Sequence, residues 1–197
     1  RESFDSMIVY QLEPEIYSFD VLRSFANAAS ELGNKETRIH LKIDTGMHRL
    51  GFMPEEVESL LNELKKYPTL KIASVFSHLS ASDNPEFDNF THQQIDSFKK
   101  TCIKIEKSLG YSFIKHICNS GAISRFNDAH FDMVRLGIGM YGIGVNESEQ
   151  KKLTAVCTLK TVVSQVKTIK SGETVSYNRS GKIDKETQIA IIPIGYA

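Results

Sequence analysis

The feature that most constrains the fold is an alternation of short apolar runs with amphipathic stretches over the first two-thirds of the chain. Four runs rich in apolar residues predict strands over 16–19, 39–43, 70–76 and 113–117. Stretches with an apolar period near 3.6 residues predict helices over 20–32, with Asp20 as N-cap, over 54–67 and over 84–109. Repeated β-α units of this length imply parallel strands joined by right-handed crossovers.

The order of these units decides between the common parallel-sheet folds. Neither a GxGxxG nor a GxxxxGK[ST] fingerprint follows any predicted strand, which disfavours a Rossmann or P-loop fold. About 145 residues of this pattern amount to half to two-thirds of the roughly 250 that a complete (β/α)8 barrel needs. The sequence therefore predicts an α/β protein in which residues 1–148 form a partial (β/α)8 TIM-type barrel.

The last quarter of the chain carries only β-type signals. A β-rich run extends over 153–169, and turns separate it from two further predicted strands over 174–177 and 187–194. Short strands joined by turns, with no helix between them, are typical of antiparallel sheets. Because a polar linker precedes the run at 146–152, residues 149–197 are predicted to be the start of a C-terminal β domain.

Composition excludes several classes of protein. The 197 residues are 41% hydrophobic, and 24 Lys and Arg balance 24 Asp and Glu, so the net charge gives no general attraction to nucleic acid or acidic membranes. No apolar run approaches the roughly 20 residues that cross a bilayer. Three widely spaced cysteines suggest reduced thiols in a reducing compartment rather than a disulfide framework. We expect a cytoplasmic protein that binds neither nucleic acid nor membrane.

Polar side chains stand at the predicted strand ends, and in a parallel barrel those ends open on one common face. These residues are Asp44, His78, Asn119, Ser120 and Arg135. Their spacing is not that of metal ligands, so no metal site is predicted. A hydroxyl at Ser120 and the glycine-rich Gly137-Ile-Gly139 suit a phosphate, because backbone amides can approach an anion closely there.

Six motifs, in order and over nearly the whole chain, resemble those of the alanine racemase family. They are His40-Leu-Lys-Ile-Asp-Thr-Gly-Met-His-Arg-Leu-Gly-Phe52, Phe76-Ser-His78, His116-Ile-Cys-Asn-Ser120, Met133-Val-Arg-Leu-Gly-Ile-Gly-Met-Tyr-Gly142, Gly172-Glu-Thr-Val-Ser-Tyr177 and Pro193-Ile-Gly-Tyr-Ala197. The resemblance implies an N-terminal barrel that binds pyridoxal 5'-phosphate, followed by a C-terminal β domain. Residues 12–19 also resemble a bifunctional subgroup in which a Mur-type ligase precedes the racemase, although no ligase sequence is present in the chain.

The resemblance implies how the cofactor is held. Arg135 contacts the pyridine nitrogen, and since a guanidinium cannot act as an acid, the ring stays unprotonated and is a weaker electron sink. His116 hydrogen-bonds Arg135, and His78 lies against the ring. Ser120 holds the phosphate together with the backbone of Gly137 and Ile138.

The resemblance also implies the catalytic set, which consists of Tyr177, Arg135 and His78. Tyr177 matches one of two bases that remove or return the Cα proton. An unperturbed phenol titrates near 10, so this base needs its phenolate stabilised by neighbours such as the other two residues. In the family this tyrosine reaches the active site of the other subunit, which implies a head-to-tail homodimer.

Three further residues match substrate-binding positions. Lys42, a position that is often carbamylated in the family, pairs with Arg49, which helps to orient the substrate carboxylate. Tyr196 matches a residue at the entrance of the substrate channel. The lysine that forms the Schiff base and acts as the second base lies in a Lys-Ala-Asn-Ala-Tyr-Gly-like motif that this sequence lacks, and neither Lys42 nor Lys115 matches it.

Taken one at a time, the same residues also fit structural roles. His78 could be a satisfied core histidine, Ser120 the N-cap of a short helix, and Tyr177 an ordinary strand residue. The remaining histidines, at 40, 48, 92 and 130, are expected to be solvated or structural. The functional interpretation gains weight because the motifs occur together and in order.

The predicted function is therefore pyridoxal-phosphate-dependent racemisation of L-alanine to D-alanine, which supplies peptidoglycan synthesis and cell wall biogenesis. Because the Schiff-base motif is absent, we expect the segment alone to be inactive and the complete protein to be the enzyme. One alternative is another pyridoxal barrel enzyme, either a broad-specificity amino-acid racemase or a decarboxylase of basic amino acids. The other is a non-catalytic module for cofactor binding or dimerisation.

Overall fold

A computed structural model describes residues 2–195, so Tyr196, predicted at the substrate entrance, lies outside the described residues. The chain divides into two compact units, one up to Thr154 and the other from Ala155 onward. Within the described residues, no helix combines the length and the apolar character needed to cross a membrane.

The first unit is built around a parallel sheet whose strands lie side by side in sequence order. They are β1 (Glu15–Ile16), β2 (Thr37–Lys42), β3 (Leu70–Phe76) and β4 (Ile114–His116). The α-helices of this unit are α1 (Glu2–Val9), α2 (Phe19–Glu31), α3 (Val57–Leu64), α4 (Asp88–Leu109), α5 (Ser120–Arg125) and α6 (Glu147–Gln150). Short 3-10 turns occupy Pro54–Glu56, Pro85–Phe87, Asn127–Ala129 and Ile138–Tyr141. Parallel neighbours joined through helices are the repeating unit of a (β/α)8 barrel.

Local capping explains where two of these helices begin and end. Helix α2 begins one residue before the prediction, because the side chain of Ser18, and not Asp20, caps it by accepting a hydrogen bond from the amide of Val21 at 3.3 Å. Helix α4 follows a 3-10 turn capped by Asn84 and ends at Gly110, whose φ of 75° is the left-handed conformation that glycine adopts without steric cost.

The core lies between the sheet and the helices that cover one face of it. Ile39 and Leu41 of β2 are fully buried, as is Phe98 of α4. Because successive strand residues point to opposite faces, His40 and Lys42 lie on the other side of the sheet. The sheet therefore turns a mainly apolar face toward its helices and a polar face toward the barrel interior.

The second unit contains two antiparallel pairs. Strand β5 (Gln165–Ile169) pairs with β8 (Thr187–Ile191), and β6 (Thr174–Val175) pairs with β7 (Gly181–Lys182). A 3-10 turn occupies Tyr177–Arg179. The prediction of a strand over all of 153–169 was wrong for its first part, since residues 153–164 form no strand and Leu159 is 83% exposed. High β-propensity does not make a strand without a neighbour to pair with.

The loop after β2 folds back on the strand end and thereby sets the position of the following residues. The Phe52 amide donates to the Lys42 carbonyl at 2.9 Å, and the Asp44 amide donates to the Phe52 carbonyl at 2.8 Å. Gly51 makes this close approach possible, with a φ of 128° and with an added Cβ only 2.7 Å from the Asp44 nitrogen. A side chain at this position would collide with backbone that cannot move away cheaply.

We therefore expect Gly51→Ala to lower the free energy of unfolding by about 3 kcal/mol or more, since it combines a disallowed φ with a backbone clash. Gly110→Ala is the matched control, because its φ of 75° is also positive but nothing lies within 4 Å of its added Cβ. The control should lose only about 1 kcal/mol. Urea unfolding of both variants measures the difference, and equal losses would contradict the close approach at Gly51.

Candidate active site

The guanidinium of Arg135 is the centre of the polar cluster at the strand ends. Its Nη1 contacts His116 Nδ1 at 2.5 Å and donates to the His116 carbonyl at 3.1 Å. Its Nη2 donates to the Ser77 carbonyl at 2.6 Å and contacts His78 Nδ1 at 3.3 Å. Strand β4 and the segment after β3 thus hold the same side chain, and the hydrogen bond between Arg135 and His116 that the resemblance implies is present.

Within residues 2–195, every hydrogen bond of this guanidinium is made by its two terminal nitrogens. One of these bonds goes to the Ile117 carbonyl at 3.4 Å. Within that range the Nε–H of Arg135 has no partner, and no carboxylate bonds the group. Burial lowers the pKa of Arg135, but a guanidinium starts so high that it remains charged at neutral pH. The site therefore offers a charged N–H donor that is not neutralised by an anion.

The two histidines beside Arg135 are uncharged at neutral pH. Burial, followed by the charge of Arg135, lowers the pKa of His116 to about 4. The same two causes lower the pKa of His78, with smaller contributions from Arg49 and Lys42. A neutral imidazole keeps a lone pair, so each ring can accept a hydrogen bond from the guanidinium.

The ring of Phe76 packs against this cluster. Sequence reasoning assigned Phe76 no role. Its ring stacks on His116 with centroids 4.9 Å apart and an interplanar angle of 3°. Lys42 Nζ lies 5.2 Å from the centroid of the same ring, and Arg135 Cζ lies 5.3 Å from it. Each cation is attracted by the negative face of the ring. The sequence carried no local signal for this role, because Phe76 comes between Lys42 and His116 only through the register of the strands.

Ser120 organises the glycine-rich segment on the far side of the cluster. Its Oγ accepts hydrogen bonds from the amides of Gly137 at 2.9 Å and Gly139 at 3.4 Å. The preceding residue, Asn119, caps α5 by accepting from the Ala122 amide at 3.2 Å. A hydroxyl, a helix start and closely approaching amides thus meet at one place, as the sequence predicted.

A cleft of about 440 Å³ connects Arg135 with Ser120. Its lining residues are His78, Ser82, Asp83, Asn119, Ser120, Gly121, Arg135, Leu136, Gly137, Ile138 and Val145. The cofactor-binding residues expected from the sequence all line this cleft except His116, which lies behind Arg135.

The sequence analysis missed the loop at Ser82. Ser82 Oγ donates to Asn119 Oδ1 at 2.7 Å, and its carbonyl accepts from Arg125 Nη1 at 2.6 Å. Arg125 is itself fixed by Asp88, with both carboxylate oxygens 2.8 Å from Nη2. These residues are far apart in the chain, so no spacing signalled that they fasten one wall of the cleft.

The structure places the other expected residues in different settings. Lys42 Nζ lies 3.0 Å from a Glu15 carboxylate oxygen. Asp44 turns into its own loop, where its Oδ1 accepts from the His48 amide at 3.0 Å. Tyr177 belongs to the second unit and is 84% exposed. Among the described residues, no group of His, Cys, Asp and Glu has the arrangement of a metal site.

Comparison with known proteins gives this geometry a family. The sequence model of the alanine racemase N-terminal domain matches residues 1–145, and that of the alanine racemase C-terminal domain matches residues 156–197. The chain belongs to the alanine racemase family.

Individual alanine racemases agree with this assignment. Alanine racemase 1 of Clostridium acetobutylicum is 37% identical over 198 residues, covering 98% of this chain and 50% of the relative. The crystal structure of alanine racemase from Streptomyces lavendulae, a D-cycloserine producer, gives a TM-score of 0.79 at 28% identity, over 98% of this chain and 52% of that one. The alanine racemase of Bacillus anthracis with bound L-Ala-P gives 0.65 at 26% identity, over 92% and 48%.

The chain spans about half the length of the curated alanine racemases that it matches. The relationship confirms the predicted fold class, a partial (β/α)8 barrel followed by the antiparallel strands of a second domain.

The lowered pKa of His116 makes stability depend on pH. Between the ordinary value near 6.5 and the folded value of about 4, the unfolded chain binds more protons, so the free energy of unfolding falls as the pH is lowered through this range. We expect His116→Gln to reduce the loss between pH 7 and pH 5 by roughly 1 to 2 kcal/mol. Urea unfolding at the two pH values measures this. His92→Gln, at an exposed residue, is the control and should lose as much free energy of unfolding between the two pH values as the parent does. If His116→Gln also loses as much as the parent, the buried neutral imidazole is contradicted.

Proposed function

We propose that the complete protein is a pyridoxal-phosphate-dependent alanine racemase that interconverts L- and D-alanine by two-base proton transfer. The observation that carries the proposal is the Arg135 guanidinium, held by neutral imidazoles and carbonyls, with its Nε–H unpaired within residues 2–195 at the wall of a cleft. Membership of the family supports the same activity. Residues 1–148 would bind the cofactor, and residues 149–197 would begin the β domain.

The residues of the cleft fit the cofactor at both of its polar ends. Arg135 would donate to the pyridine nitrogen, an acceptor that matches the unpaired N–H. Ser120 and the amides of Gly137 and Ile138 would hold the phosphate, since Ser120 Oγ accepts from the Gly137 amide and so keeps its own hydrogen to donate to an anion. The bound cofactor supplies an electron sink that makes the Cα–H of the amino acid acidic.

The protein's own groups then control the proton. Arg135 cannot donate a proton to the ring, so the sink stays weak and side reactions such as transamination are restrained. His78 accepts from Arg135 through Nδ1, so the neutral ring carries its proton on Nε2. That N–H is available to stabilise a phenolate such as that of Tyr177.

Tyr177 would be one of the two bases and would enter the site of the second subunit in a head-to-tail homodimer. Its 84% exposure leaves the phenol accessible to another copy of the chain. A lysine that binds the cofactor would be the base on the opposite face.

Alanine is the proposed substrate, and Lys42, Arg49 and Tyr196 would orient it. The Bacillus anthracis relative binds L-Ala-P, which supports a site for a small amino acid. The positive charges of Arg49 and Lys42 help to lower the pKa of His78, which supports a role for both residues beside the cleft. D-alanine formed in the cytoplasm would serve peptidoglycan synthesis and cell wall biogenesis.

Replacing the proposed base tests the function. In the complete protein, Tyr177→Phe should lower kcat for alanine racemisation by about 10² to 10⁴, because it removes a general base without removing the ring. Tyr10→Phe, at another exposed tyrosine, is the matched control and should keep the parent's rate. Chirality-resolved turnover of alanine, lysine and arginine measures the effect.

The same assay separates the rival functions. Racemisation of many amino acids at similar rates, or decarboxylation of lysine or arginine, would point to another pyridoxal enzyme and contradict the proposed substrate. A folded complete protein without turnover, or without a lysine-linked cofactor after borohydride reduction, would overturn the proposal.

Replacing Ser120 tests the phosphate site separately from catalysis. Ser120→Ala should raise the Kd for pyridoxal 5'-phosphate by about tenfold or more, since a hydrogen bond to a charged group is worth roughly 1.5 to 3 kcal/mol. Ser112→Ala is the control, because this serine is exposed in the loop before β4 and does not line the cleft. Fluorescence titration of the cofactor-free complete protein measures both, and equal affinities would contradict the assigned phosphate site.

A further inference from the structure

A chain of hydrogen bonds runs across the polar face of the sheet, behind the cleft. His116 Nε2 lies 3.1 Å from Ser74 Oγ, and Ser74 Oγ lies 2.6 Å from His40 Nδ1. His40 Nε2 lies 3.0 Å from a Glu13 carboxylate oxygen. At the other end His116 Nδ1 contacts Arg135. The chain therefore joins five segments, from the loop before β1 through β2, β3 and β4 to Arg135, which faces the cofactor cleft.

The chemistry of the two ends sets the direction of these bonds. A guanidinium only donates hydrogen bonds, so His116 Nδ1 accepts from Arg135. The ring is neutral, because burial and Arg135 lower its pKa to about 4, so its proton is on Nε2 and is donated to Ser74. The Ser74 hydroxyl can then donate to His40 Nδ1, and His40 Nε2–H to Glu13. A carboxylate only accepts, so every member of the chain is satisfied in this one direction.

Because the inner residues of the chain are buried, water cannot easily take the place of a hydrogen-bond partner that is lost. Ser74 is 1% exposed and His116 is 5% exposed. Glu13 is held at its end by a second contact, since its other carboxylate oxygen lies 3.3 Å from Arg38 Nε. A buried N–H that loses its acceptor in such a place is left unpaired.

We infer that Ser74, His40 and Glu13 are positioning residues that hold His116 as the Nε2–H tautomer, with its Nδ1 lone pair aimed at Arg135. The fixed ring in turn orients the guanidinium and its unpaired Nε–H toward the cleft. The last step rests on the proposed function, because only a ligand in the cleft uses that N–H. The tautomer itself does not depend on the reaction.

The test is nitrogen NMR of the complete protein with ¹⁵N-labelled histidine, in which the His116 signals are identified by their loss in His116→Gln. We expect a protonated Nε2 and an unprotonated Nδ1 at pH 7, and a ring that remains neutral down to about pH 5. A His116 ring protonated on Nδ1, or charged at pH 7, would overturn the inference.

Variants then connect the tautomer with Arg135. Ser74→Ala should speed the exchange of the His116 Nε2 proton with water by roughly tenfold or more, because the proton loses its acceptor. It should also lower kcat by roughly tenfold with a smaller change in KM, since misplacing Arg135 affects the reaction more than substrate binding. Ser74→Thr, which keeps the hydroxyl, should restore both properties.

Two further variants keep the inference open to refutation. Thr37→Val removes a buried hydroxyl on β2 that accepts from Asn34 and lies outside the chain, so it is the control for losing any buried hydrogen bond. His40→Leu is the substitute test if Ser74→Ala does not fold, because the His40 side chain is 32% exposed. It should likewise speed the exchange of the His116 Nε2 proton and lower kcat. Effects of Ser74→Ala and His40→Leu no larger than that of Thr37→Val would overturn the inference.

The outcome for the proposed function is separate. A complete protein that shows the expected tautomer and its dependence on Ser74, but does not racemise alanine, supports the positioning chain and refutes the function. A racemase whose His116 is protonated on Nδ1 refutes the chain and leaves the function standing.

Discussion

The structure depends on one constraint, which is a half-buried guanidinium held without a carboxylate. Arg135 is bonded by carbonyls and by the lone pairs of two imidazoles. A carboxylate there would neutralise the charge, and a protonated histidine would repel it. The surroundings therefore keep His78 and His116 neutral. The positive charge of Arg135 is then free to interact with a ligand in the cleft.

The parallel sheet satisfies this constraint by geometry. Adjacent strands end at one edge, so β3, β4 and the segments that follow them can each supply acceptors to one side chain. The register that aligns Phe76 with His116 stacks their rings, and two cations lie 5.2 Å and 5.3 Å from the centroid of the same Phe76 ring. Behind this layer the next residues of the same strands, His40 and Ser74, continue the polar contacts inward, so the site is supported from the barrel interior.

The sequence was most informative where chemistry and local pattern coincide. The barrel-type alternation, the strand ends at His78 and Ser120 and the glycines beside Ser120 all followed from local residues, and the structure brings these groups to one cleft. β-Propensity failed over 153–164, because a β-rich run forms a strand only where a partner strand is present. Apolar periodicity placed the start of α2 at Asp20, because periodicity does not identify which neighbouring side chain reaches the open amides.

By itself the sequence determined the family, the order of the elements and the residue types at the strand ends, because these depend on composition and short-range spacing. Only the tertiary structure decided that Lys42 pairs with Glu15, that Phe76 is the shared aromatic support, and that His40 belongs to a chain leading to Arg135. Such partners are brought together by strand register and by the burial of distant segments. Neither quantity is encoded in any local window of residues.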